Sequence, residues 1–410
     1  MRIRTGQVEA VLRILVAHNF YGSSAPSGEN QVFLAEVAML RSRGHEVLEF
    51  TRHSDEIRQK GALGTVIGGF STPWNPSMVR QLNSVLKQYK PDIMHVHNTF
   101  PLLSPSIFHA NGCKAAKVLT LHNYRLLCAS GIPMRQGKTC TVCLDNQSSF
   151  PALQYGCYRN SRLATAPLAL NIGLHRMLGT WQNNVDAFIT LSNFQRELMA
   201  RSGLPIQKLH IKPNFYPGMP SVIPWSERDD FIVFVGRLSA EKGITSLLDA
   251  WRKWGTSAPE LRIVGDGELR SKLEALAFGL PVKFFGQLDS AEAQSLIAKS
   301  KLLVLPSECF EGFPMVVREA FAFGTPVAVS DLGPLPSIVT NNVNGVLFEP
   351  ANSDSLLQSV QSAWHSESLL KKLGQFARQE FESKFTEDAN YATLMEIYEQ
   401  ALSSGIGRKQ

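Results

Sequence analysis

Short apolar runs alternate along the chain with longer segments whose apolar residues recur at helical spacing. Runs of about five β-branched and aliphatic residues are typical of buried strands in parallel sheets. In the first half this pattern predicts strands at 12–17, 46–51, 93–97, 117–121, 187–191 and 209–212. In the second half it predicts strands at 231–236, 261–264, 282–285, 302–305, 327–330 and 345–348. The alternation indicates an α/β protein with two Rossmann-like, doubly wound parallel sheets.

The stretch 213–230 separates the two series of strands. It contains four prolines and Gly218, a composition that disfavours both helix and central strand. A chain of 410 residues is also longer than one hydrophobic core usually supports. We therefore predict an N-terminal domain at 1–213 and a second domain at 214–380, which face each other across a cleft.

Residues 381–410 carry an apolar stripe at helical spacing, formed by Tyr391, Leu394, Met395, Ile397 and Tyr398. An amphipathic helix of this kind needs a surface that covers its apolar side. We expect this helix to pack back on the N-terminal domain.

Charge is distributed unevenly between the two halves. Residues 1–215 hold 23 Lys and Arg against 11 Asp and Glu, whereas residues 216–410 hold 18 against 24. A basic domain attracts anionic membrane surfaces and lipid pyrophosphates, which makes peripheral membrane association one expectation and a plain solvated surface the alternative. The sequence lacks the motifs of nucleic-acid-binding proteins, so we expect no nucleic-acid partner.

The apolar stretches 61–70 and 163–174 fall short of the roughly 18 apolar residues that a transmembrane helix needs, or are interrupted by polar residues. Glu9 and Arg13 stand where a signal peptide would have its apolar core. We therefore expect a cytoplasmic protein, and localisation at the inner face of the membrane is one option within that expectation.

The strongest chemical signal lies in the segment 306–326. Glu311 and Glu319 are eight residues apart, with Glu311 in a predicted loop and Glu319 on the helix that follows. At this spacing the two carboxylates address opposite ends of one ligand, such as the sugar and the ribose of a nucleotide sugar. An acidic loop that caps a helix with a surface glutamate is the alternative.

The start of that helix offers a second feature. The backbone amides of Gly312, Phe313 and Met315 lie near a helix N-terminus, where free N–H groups favour anionic or oxygen-rich ligands. Pro314 suits the first turn, because its missing N–H costs little there.

A basic pair follows the first strand of the second half. Gly236 ends the predicted strand, Arg237 comes directly after it, and Lys242 follows five residues later. Two cations on a strand–loop–helix turn can neutralise a diphosphate, and the sequence shows no Asp-x-Asp pair that would hold a metal ion instead. A solvated Arg and Lys at a helix start is the alternative.

Together these residues resemble glycosyltransferase family 4, whose members have the GT-B fold and usually retain the anomeric configuration of the sugar. The resemblance extends over most of the chain, through the segments 22–29, 44–47, 122, 236–237, 241–243, 265–267 and 311–326. It implies that Arg237 and Lys242 bind the diphosphate, that Glu319 holds the ribose and that Glu311 lies beside the transferred sugar.

The resemblance also assigns two residues of the first half. His122 is similar to the family histidine that lies near the donor sugar, and Gly28 belongs to the glycine-rich loop that approaches the donor from the acceptor side. Basic side chains would replace a metal ion at the diphosphate, so we expect catalysis to need no cofactor.

The implied activity is transfer of a sugar from a UDP- or GDP-linked donor to an acceptor hydroxyl, on a lipid-linked or glycan acceptor, in the synthesis of cell-surface polysaccharide or glycolipid. Two enzyme alternatives on the same fold are a nucleotide-sugar epimerase and a phosphorylase. A third alternative is a nucleotide-sugar-binding protein without turnover.

The predicted insertion 124–160 contains four cysteines in a span of thirty residues, namely Cys128, Cys140, Cys143 and Cys157. Cys140 and Cys143 have Cys-x-x-Cys spacing, and in a cytosolic chain such a cluster indicates structural zinc more than disulfides. The other intervals match no standard zinc ribbon, and unligated thiols are the alternative.

His95 and His97 are two residues apart on a predicted strand, so their side chains point to the same side of the sheet. This spacing is compatible with metal binding and with a role in the core next to the ligand.

Overall fold

The computed structural model describes residues 11–22 and 27–406. The predictions made for residues 1–10, and for positions 23–26 of the loop 22–29, lie outside this part of the chain. The described residues form fourteen strands, in chain order β1 (Arg13–Phe20), β2 (Glu46–His53), β3 (Ile93–Asn98), β4 (Ala116–Thr120), β5 (Met134–Arg135), β6 (Lys138–Thr139), β7 (Ala187–Thr190), β8 (Leu209–Ile211), β9 (Phe231–Val235), β10 (Glu260–Val264), β11 (Val282–Gly286), β12 (Leu302–Leu305), β13 (Val327–Ser330) and β14 (Gly345–Phe348).

All twelve predicted strands are confirmed, and they form two six-stranded sheets in which every pairing is parallel. The strand order is β2-β1-β3-β4-β7-β8 in the first sheet and β11-β10-β9-β12-β13-β14 in the second. The short strands β5 and β6 pair separately as a hairpin. The predicted α/β fold class with two doubly wound sheets is therefore confirmed.

Helices connect the strands and cover both sheets. They are α1 (Gly28–Ser42), α2 (Asp55–Arg58), α3 (Gly61–Ser71), α4 (Pro76–Tyr89), α5 (Val142–Asp145), α6 (Phe150–Tyr155), α7 (Arg162–Met177), α8 (Thr180–Asn183), α9 (Asn193–Arg201), α10 (Ile244–Trp254), α11 (Arg270–Leu276), α12 (Ser290–Lys299), α13 (Met315–Ala322), α14 (Leu335–Ile338), α15 (Ser353–Trp364), α16 (Glu367–Lys384) and α17 (Glu387–Ile406). In the described part of the chain, no helix has the length and apolar character needed to cross a membrane.

Each sheet organises its own apolar core. We call the first sheet and its helices the N-terminal lobe, and the second sheet and its helices the C-terminal lobe. In the C-terminal lobe, α10 buries Ile244, Leu247, Leu248 and Trp251 at helical spacing against a core that includes Phe231. This spacing places one apolar stripe on the sheet and leaves the other side of the helix in solvent.

The chain crosses between the lobes twice. The first crossing is the proline-containing stretch 213–230, and the second lies between α16 and α17. At the two crossings, the amide of Tyr216 donates a hydrogen bond of 2.9 Å to the carbonyl of Phe385.

After the second crossing, α17 lies against the first sheet. Its side chains Leu394, Ile397 and Tyr398 are buried in one cluster with Ile14 and Val16 of β1. The last helix therefore belongs to the core of the N-terminal lobe, while the domain limits at 213 and 380 stay predictions.

Candidate active site

The carboxyl ends of β9 and β12 form the centre of the site in the C-terminal lobe. These neighbouring strands lie where the strand order of the second sheet changes direction, which is where parallel sheets place their ligands. Gly236 and Arg237 follow β9, and the loop with Glu311 follows β12.

Gly243 allows the β9 loop and the β12 loop to lie against each other. Its φ is +67°, and an added Cβ would lie only 1.9 Å from the carbonyl oxygen of Pro306. A residue with a side chain at this position would therefore separate the two loops that carry Lys242 and Glu311.

Lys242 and Glu311 form an ion pair between these loops. The distance from Lys242 Nζ to Glu311 Oε1 is 2.7 Å, and Ser307 Oγ donates a hydrogen bond to the same oxygen. Burial opposes the charged form of Glu311, but the Lys242 ammonium and the hydrogen bonds from Lys242 and Ser307 outweigh it and lower the pKa of Glu311. The carboxylate and the ammonium are therefore both charged at neutral pH.

Arg237, the other predicted cation, differs from Lys242 in its surroundings. Its side chain is exposed and has no salt-bridge partner within residues 11–22 and 27–406. The structure thus brings Lys242 to Glu311 and leaves Arg237 exposed after β9, where an arginine fork can bind an anionic ligand.

Glu319 lies on α13, as the sequence predicts. Its carboxylate is buried, and Arg318 Nη2 lies 3.5 Å from Glu319 Oε1. Burial raises the pKa of Glu319, and the charge of Arg318 only partly offsets this effect. The hydroxyl of Tyr216 donates to Gln294 Oε1 beside this pair, at 2.9 Å, so Glu319 sits in a polar pocket of the C-terminal lobe.

The start of α13 differs from the prediction in one respect. The helix begins at Met315, so Pro314 precedes the first turn instead of lying in it. Its φ of −74° and ψ of 102° are extended backbone, which the fixed φ of proline allows. Phe313 is buried in the core of the C-terminal lobe next to Phe385, so its side chain supports the loop and does not face the cleft.

The two lobes meet at the loop 310–315. An added Cβ at Gly312 would lie 2.3 Å from the backbone oxygen of His122. An added Cβ at Gly28 would lie 3.3 Å from Cγ of Met315. The structure therefore places the predicted residues of the N-terminal lobe, His122 and Gly28, directly against the loop that carries Glu311.

A hydrogen bond fixes the same contact. The hydroxyl of Tyr124 donates to the backbone carbonyl of Glu311 at 3.1 Å, and the rings of Phe194 and Phe310 pack edge to face with centroids 4.9 Å apart. No sequence pattern predicts these contacts, because the paired residues are far apart along the chain.

A buried row of polar side chains leads from the core of the N-terminal lobe to His122. Lys212 Nζ lies 2.8 Å from Glu36 Oε2, His97 Nε2 lies 3.1 Å from Glu36 Oε1, and His97 Nδ1 lies 3.0 Å from His122 Nε2. Burial opposes the charge on Glu36, but Lys212 and the neighbouring histidines outweigh it and hold the pKa of Glu36 well below its usual range. The row is therefore anchored on a charged carboxylate.

This row determines the tautomer of His122. Charged Glu36 accepts a hydrogen bond from the Nε2–H of His97, and the other ring nitrogen, Nδ1, then acts as an acceptor. His122 must then donate its Nε2–H to His97 and keep Nδ1 unprotonated. Burial, followed by the neighbouring His97 and His18, lowers the pKa of His122 well below its usual value, so the ring is neutral. A neutral ring with a free acceptor nitrogen can bind a sugar hydroxyl.

Three donor atoms of Glu36, His95 and His97 lie within 4.8 Å of one another, as a metal site would require. The ammonium of Lys212 already neutralises the carboxylate, and Thr120 Oγ1 lies 2.7 Å from His95 Nε2. A cation would meet a positive charge here, so we assign His95 and His97 to the hydrogen-bonded core next to the cleft.

Glu29 is a residue of the cleft whose role the sequence did not indicate. It lines the same cavity as His122 and Asn123, and the amide of Asn123 lies 3.3 Å from Glu29 Oε2. Oε1 of Glu29 is buried without a hydrogen-bond partner in the described residues. Burial raises the pKa of Glu29 to about 8, so a neutral carboxylic acid faces the cavity at pH 7.

The proton on Glu29 predicts a pH dependence of stability. From about pH 4.5 to about 8 the folded protein holds this proton while the unfolded chain has lost it, so stability falls as pH rises through this window. We expect Glu29→Gln to gain on the order of 2 kcal/mol relative to wild type between pH 5 and pH 8. Urea denaturation at the two pH values measures this, with exposed Glu396→Gln as the control. An equal difference at both pH values would contradict the raised pKa.

The four cysteines of the segment 124–160 lie near one another and form no disulfide. Cys128 and Cys143 are buried in one core cluster, against which Cys157 packs, and the amide of Cys140 donates to Pro133 at 2.9 Å. Burial, followed by the Cys128, Cys157 and Cys140 thiols, raises the pKa of Cys143 to about 11. Three sulfurs within 4.8 Å of one another are not found in the described part of the chain, so structural zinc stays a prediction.

Zinc binding would draw these thiols together and release their protons. We expect about one zinc equivalent per purified chain, and a loss of most of it in Cys143→Ser. Cys113→Ser serves as the control, because Cys113 lies outside the segment. Elemental analysis makes the measurement, and about a tenth of an equivalent or less in wild type would rule the zinc site out.

Comparison with known proteins defines the class. The Anabaena protein HepE, solved in complex with UDP, has the same fold with a TM-score of 0.65 at 17% identity, over 94% of this chain and 99% of HepE. The two facing Rossmann-like lobes therefore have the GT-B fold. Residues 26–217 match the sequence model "Glycosyltransferase Family 4" and residues 219–380 match "Glycosyl transferases group 1". The chain belongs to glycosyltransferase family 4, as the resemblance implies.

Curated relatives agree with this family. An uncharacterized glycosyltransferase of Methanocaldococcus jannaschii is 31% identical over 179 residues, which are 42% of this chain and 46% of the relative. A sulfoquinovosyl transferase of Arabidopsis thaliana is 25% identical over 380 residues, which are 87% of this chain and 67% of the relative. The match to the archaeal protein thus spans about half of that protein's length.

Proposed function

We propose that this protein transfers a sugar from a UDP- or GDP-sugar to an acceptor hydroxyl with retention of configuration, in the synthesis of cell-surface polysaccharide or glycolipid on the cytoplasmic side of the membrane. The observation that carries the proposal is the Lys242–Glu311 pair at the switch point of the second sheet, facing His122 across the cleft. The UDP found in HepE supports a nucleoside diphosphate as the leaving group.

The residues suggest how such a step proceeds. Lys242 and Arg237 supply positive charge for the diphosphate, on which negative charge grows as its bond to the sugar breaks. Glu319 holds the ribose at the other end of the donor. His122 accepts a hydrogen bond from a sugar hydroxyl through Nδ1. The acceptor oxygen bonds to the same face of the sugar, and its proton passes to the departing phosphate oxygen.

A donor screen tests the proposal. A nucleotide sugar at about a hundred times its dissociation constant stabilises a protein by about 2.7 kcal/mol, which a shift in melting temperature reveals. Any donor that binds is then incubated without acceptor, with free phosphate, and with candidate acceptors. Acceptor-dependent release of the nucleotide supports a transferase, whereas donor interconversion without acceptor indicates an epimerase and a need for phosphate indicates a phosphorylase. The proposal fails if no UDP-, GDP- or ADP-sugar shifts the melting temperature.

A further inference from the structure

A long apolar groove runs along the N-terminal lobe beside the active site. One wall is formed by α2 and α3, the other by α6 and α7, and Trp74 and Phe100 lie between them. The groove encloses about 1360 Å³. This volume exceeds the roughly 300–1,000 Å³ of a usual small-molecule pocket, so the groove suits a longer apolar ligand than a single sugar.

The rim of the groove exposes large apolar side chains. Leu163 is 86% exposed, Phe70 is 80% exposed and Phe150 is 67% exposed. Several such residues along one groove are unusual on a protein surface that faces only water, and they suit contact with an apolar ligand or a membrane.

The groove is positively charged. Its lining includes Arg58, Arg125 and Arg159, and no Asp or Glu is among the described residues that line it. Arg58 is paired with Asp55 at 3.7 Å. The guanidinium of Arg159 lies 5.3 Å from the ring centroid of Tyr158, and that of Arg125 lies 5.7 Å from the same ring. An anionic group is therefore favoured at this end of an otherwise apolar groove.

Arg125 connects the groove with the active site. It lines both the groove and the cavity that contains His122 and Glu29. The side chain is held over the ring of Phe100 at 4.5 Å and donates to the carbonyl of Ala129 at 3.1 Å, while its Nε is buried without a partner in the described residues. A phosphate beside Arg125 would place a sugar attached to it in the cavity of His122.

We infer that this groove binds the acceptor of the proposed transfer reaction as a lipid phosphate, with its apolar chain between α3 and α7, its phosphate beside Arg125 and its sugar at His122. This inference rests on the proposed function, and it deepens it by naming the acceptor's chemical class. The exposed rim then lies at the membrane surface, from which the lipid chain enters the groove.

Vesicle binding tests the inference without a nucleotide. The full chain is mixed with phosphatidylcholine vesicles that contain either farnesyl phosphate or farnesol. We expect tighter binding to the farnesyl phosphate vesicles, and a loss of about tenfold or more in Phe70→Asp and in Leu163→Asp, because each removes an apolar contact and adds a negative charge. Phe278→Asp is the matched control, since Phe278 is 92% exposed on the C-terminal lobe and lies outside the groove.

Two further variants distinguish recognition of the phosphate from recognition of the lipid's apolar chain. Arg159→Gln and Arg125→Gln are expected to lose the preference for farnesyl phosphate over farnesol while still binding both kinds of vesicle. Arg159→Gln keeps the test valid if Arg125→Gln does not fold, because the Arg125 side chain supports backbone carbonyls. Free inorganic phosphate is expected to compete weakly, since it lacks the apolar chain.

The outcomes that overturn the inference are distinct from failure of the proposed function. The groove does not bind a lipid phosphate if wild type shows no preference for farnesyl phosphate vesicles over farnesol vesicles and Phe70→Asp binds both as tightly as wild type does. If Phe70→Asp changes only the oligomeric state, the groove is an interface between copies of the chain. Melting shifts with UDP, GDP and ADP, measured on every variant, report binding of the donor's nucleotide separately. Absence of these shifts in wild type counts against the proposed function and leaves the vesicle result readable.

Discussion

Lys242→Ala is expected to lower the turnover of sugar transfer by about three orders of magnitude. The substitution removes the ammonium that neutralises the departing diphosphate. It also leaves Glu311 without the partner that lies 2.7 Å away, so an unpaired carboxylate repels the donor's phosphates. Steady-state kinetics with the donor identified by the melting screen measure the effect on kcat and KM.

Lys253→Ala is the matched control for this experiment. Lys253 lies at the surface of the same lobe and pairs with Asp354 at 2.6 Å, so its loss is expected to change turnover by no more than about twofold. In Lys242→Ala/Glu311→Ala the repelling carboxylate is also gone, so part of the activity should return. Near-normal turnover in Lys242→Ala would remove this residue from the reaction.

Lys212→Met is expected to lower the free energy of unfolding by about 3–5 kcal/mol. Lys212 is 1% exposed, and its ammonium is the main partner that keeps Glu36 charged inside the N-terminal lobe. Without it, the buried carboxylate of Glu36 loses its ammonium partner. Urea denaturation measures the loss, and Lys87→Met on the exposed side of α4 is expected to change stability by no more than about 0.5 kcal/mol.

A second substitution separates charge from packing at this site. Lys212→Met/Glu36→Leu removes both charges, so we expect it to be more stable than Lys212→Met alone. The row from Glu36 to His122 would then lack its anchor, and His122 could change tautomer. Equal stability of the single and the double variant would show that lost packing, and not the unpaired charge, causes the destabilisation.

The fold was predictable because strands in parallel sheets are short, apolar and bounded by breakers. Runs such as Phe231–Val235 and Leu302–Leu305 have these properties without any tertiary information. Their order along the chain was enough to predict two sheets. The start of α13 was misplaced by one residue, because Pro314 is compatible with the first helical turn and with the position before it.

The site was predictable only as a set of residues. Motif spacing pointed to Lys242 and Glu311, and the family resemblance pointed to His122. Lys242 and Glu311 are 69 positions apart along the chain, however, and Lys212 and Glu36 are 176 apart. Contacts across such separations depend on how strands and helices pack in space, which no local pattern records. The ion pair, the row behind His122 and the raised pKa of Glu29 therefore became visible only in the structure.

The apolar groove of the N-terminal lobe could not be predicted from the sequence for the same reason. In the sequence, 61–70 and 163–174 are two apolar stretches too short to span a membrane, and nothing relates one to the other. In the structure α3 and α7 lie side by side, and their apolar side chains form one surface. Each stretch alone looks like part of a core helix, while the pair forms a ligand-sized channel.

The hydrogen bond between Tyr216 and Phe385 has a mechanical consequence. It joins the two crossings between the lobes at one place, so the lobes are connected by two adjacent backbone segments instead of one flexible linker. Such a double connection resists twisting and sliding of the lobes. The easiest relative motion is then a hinge rotation about an axis through the two crossings. Opening of the cleft would then follow one arc, along which His122 leaves and returns to Gly312 in the same register.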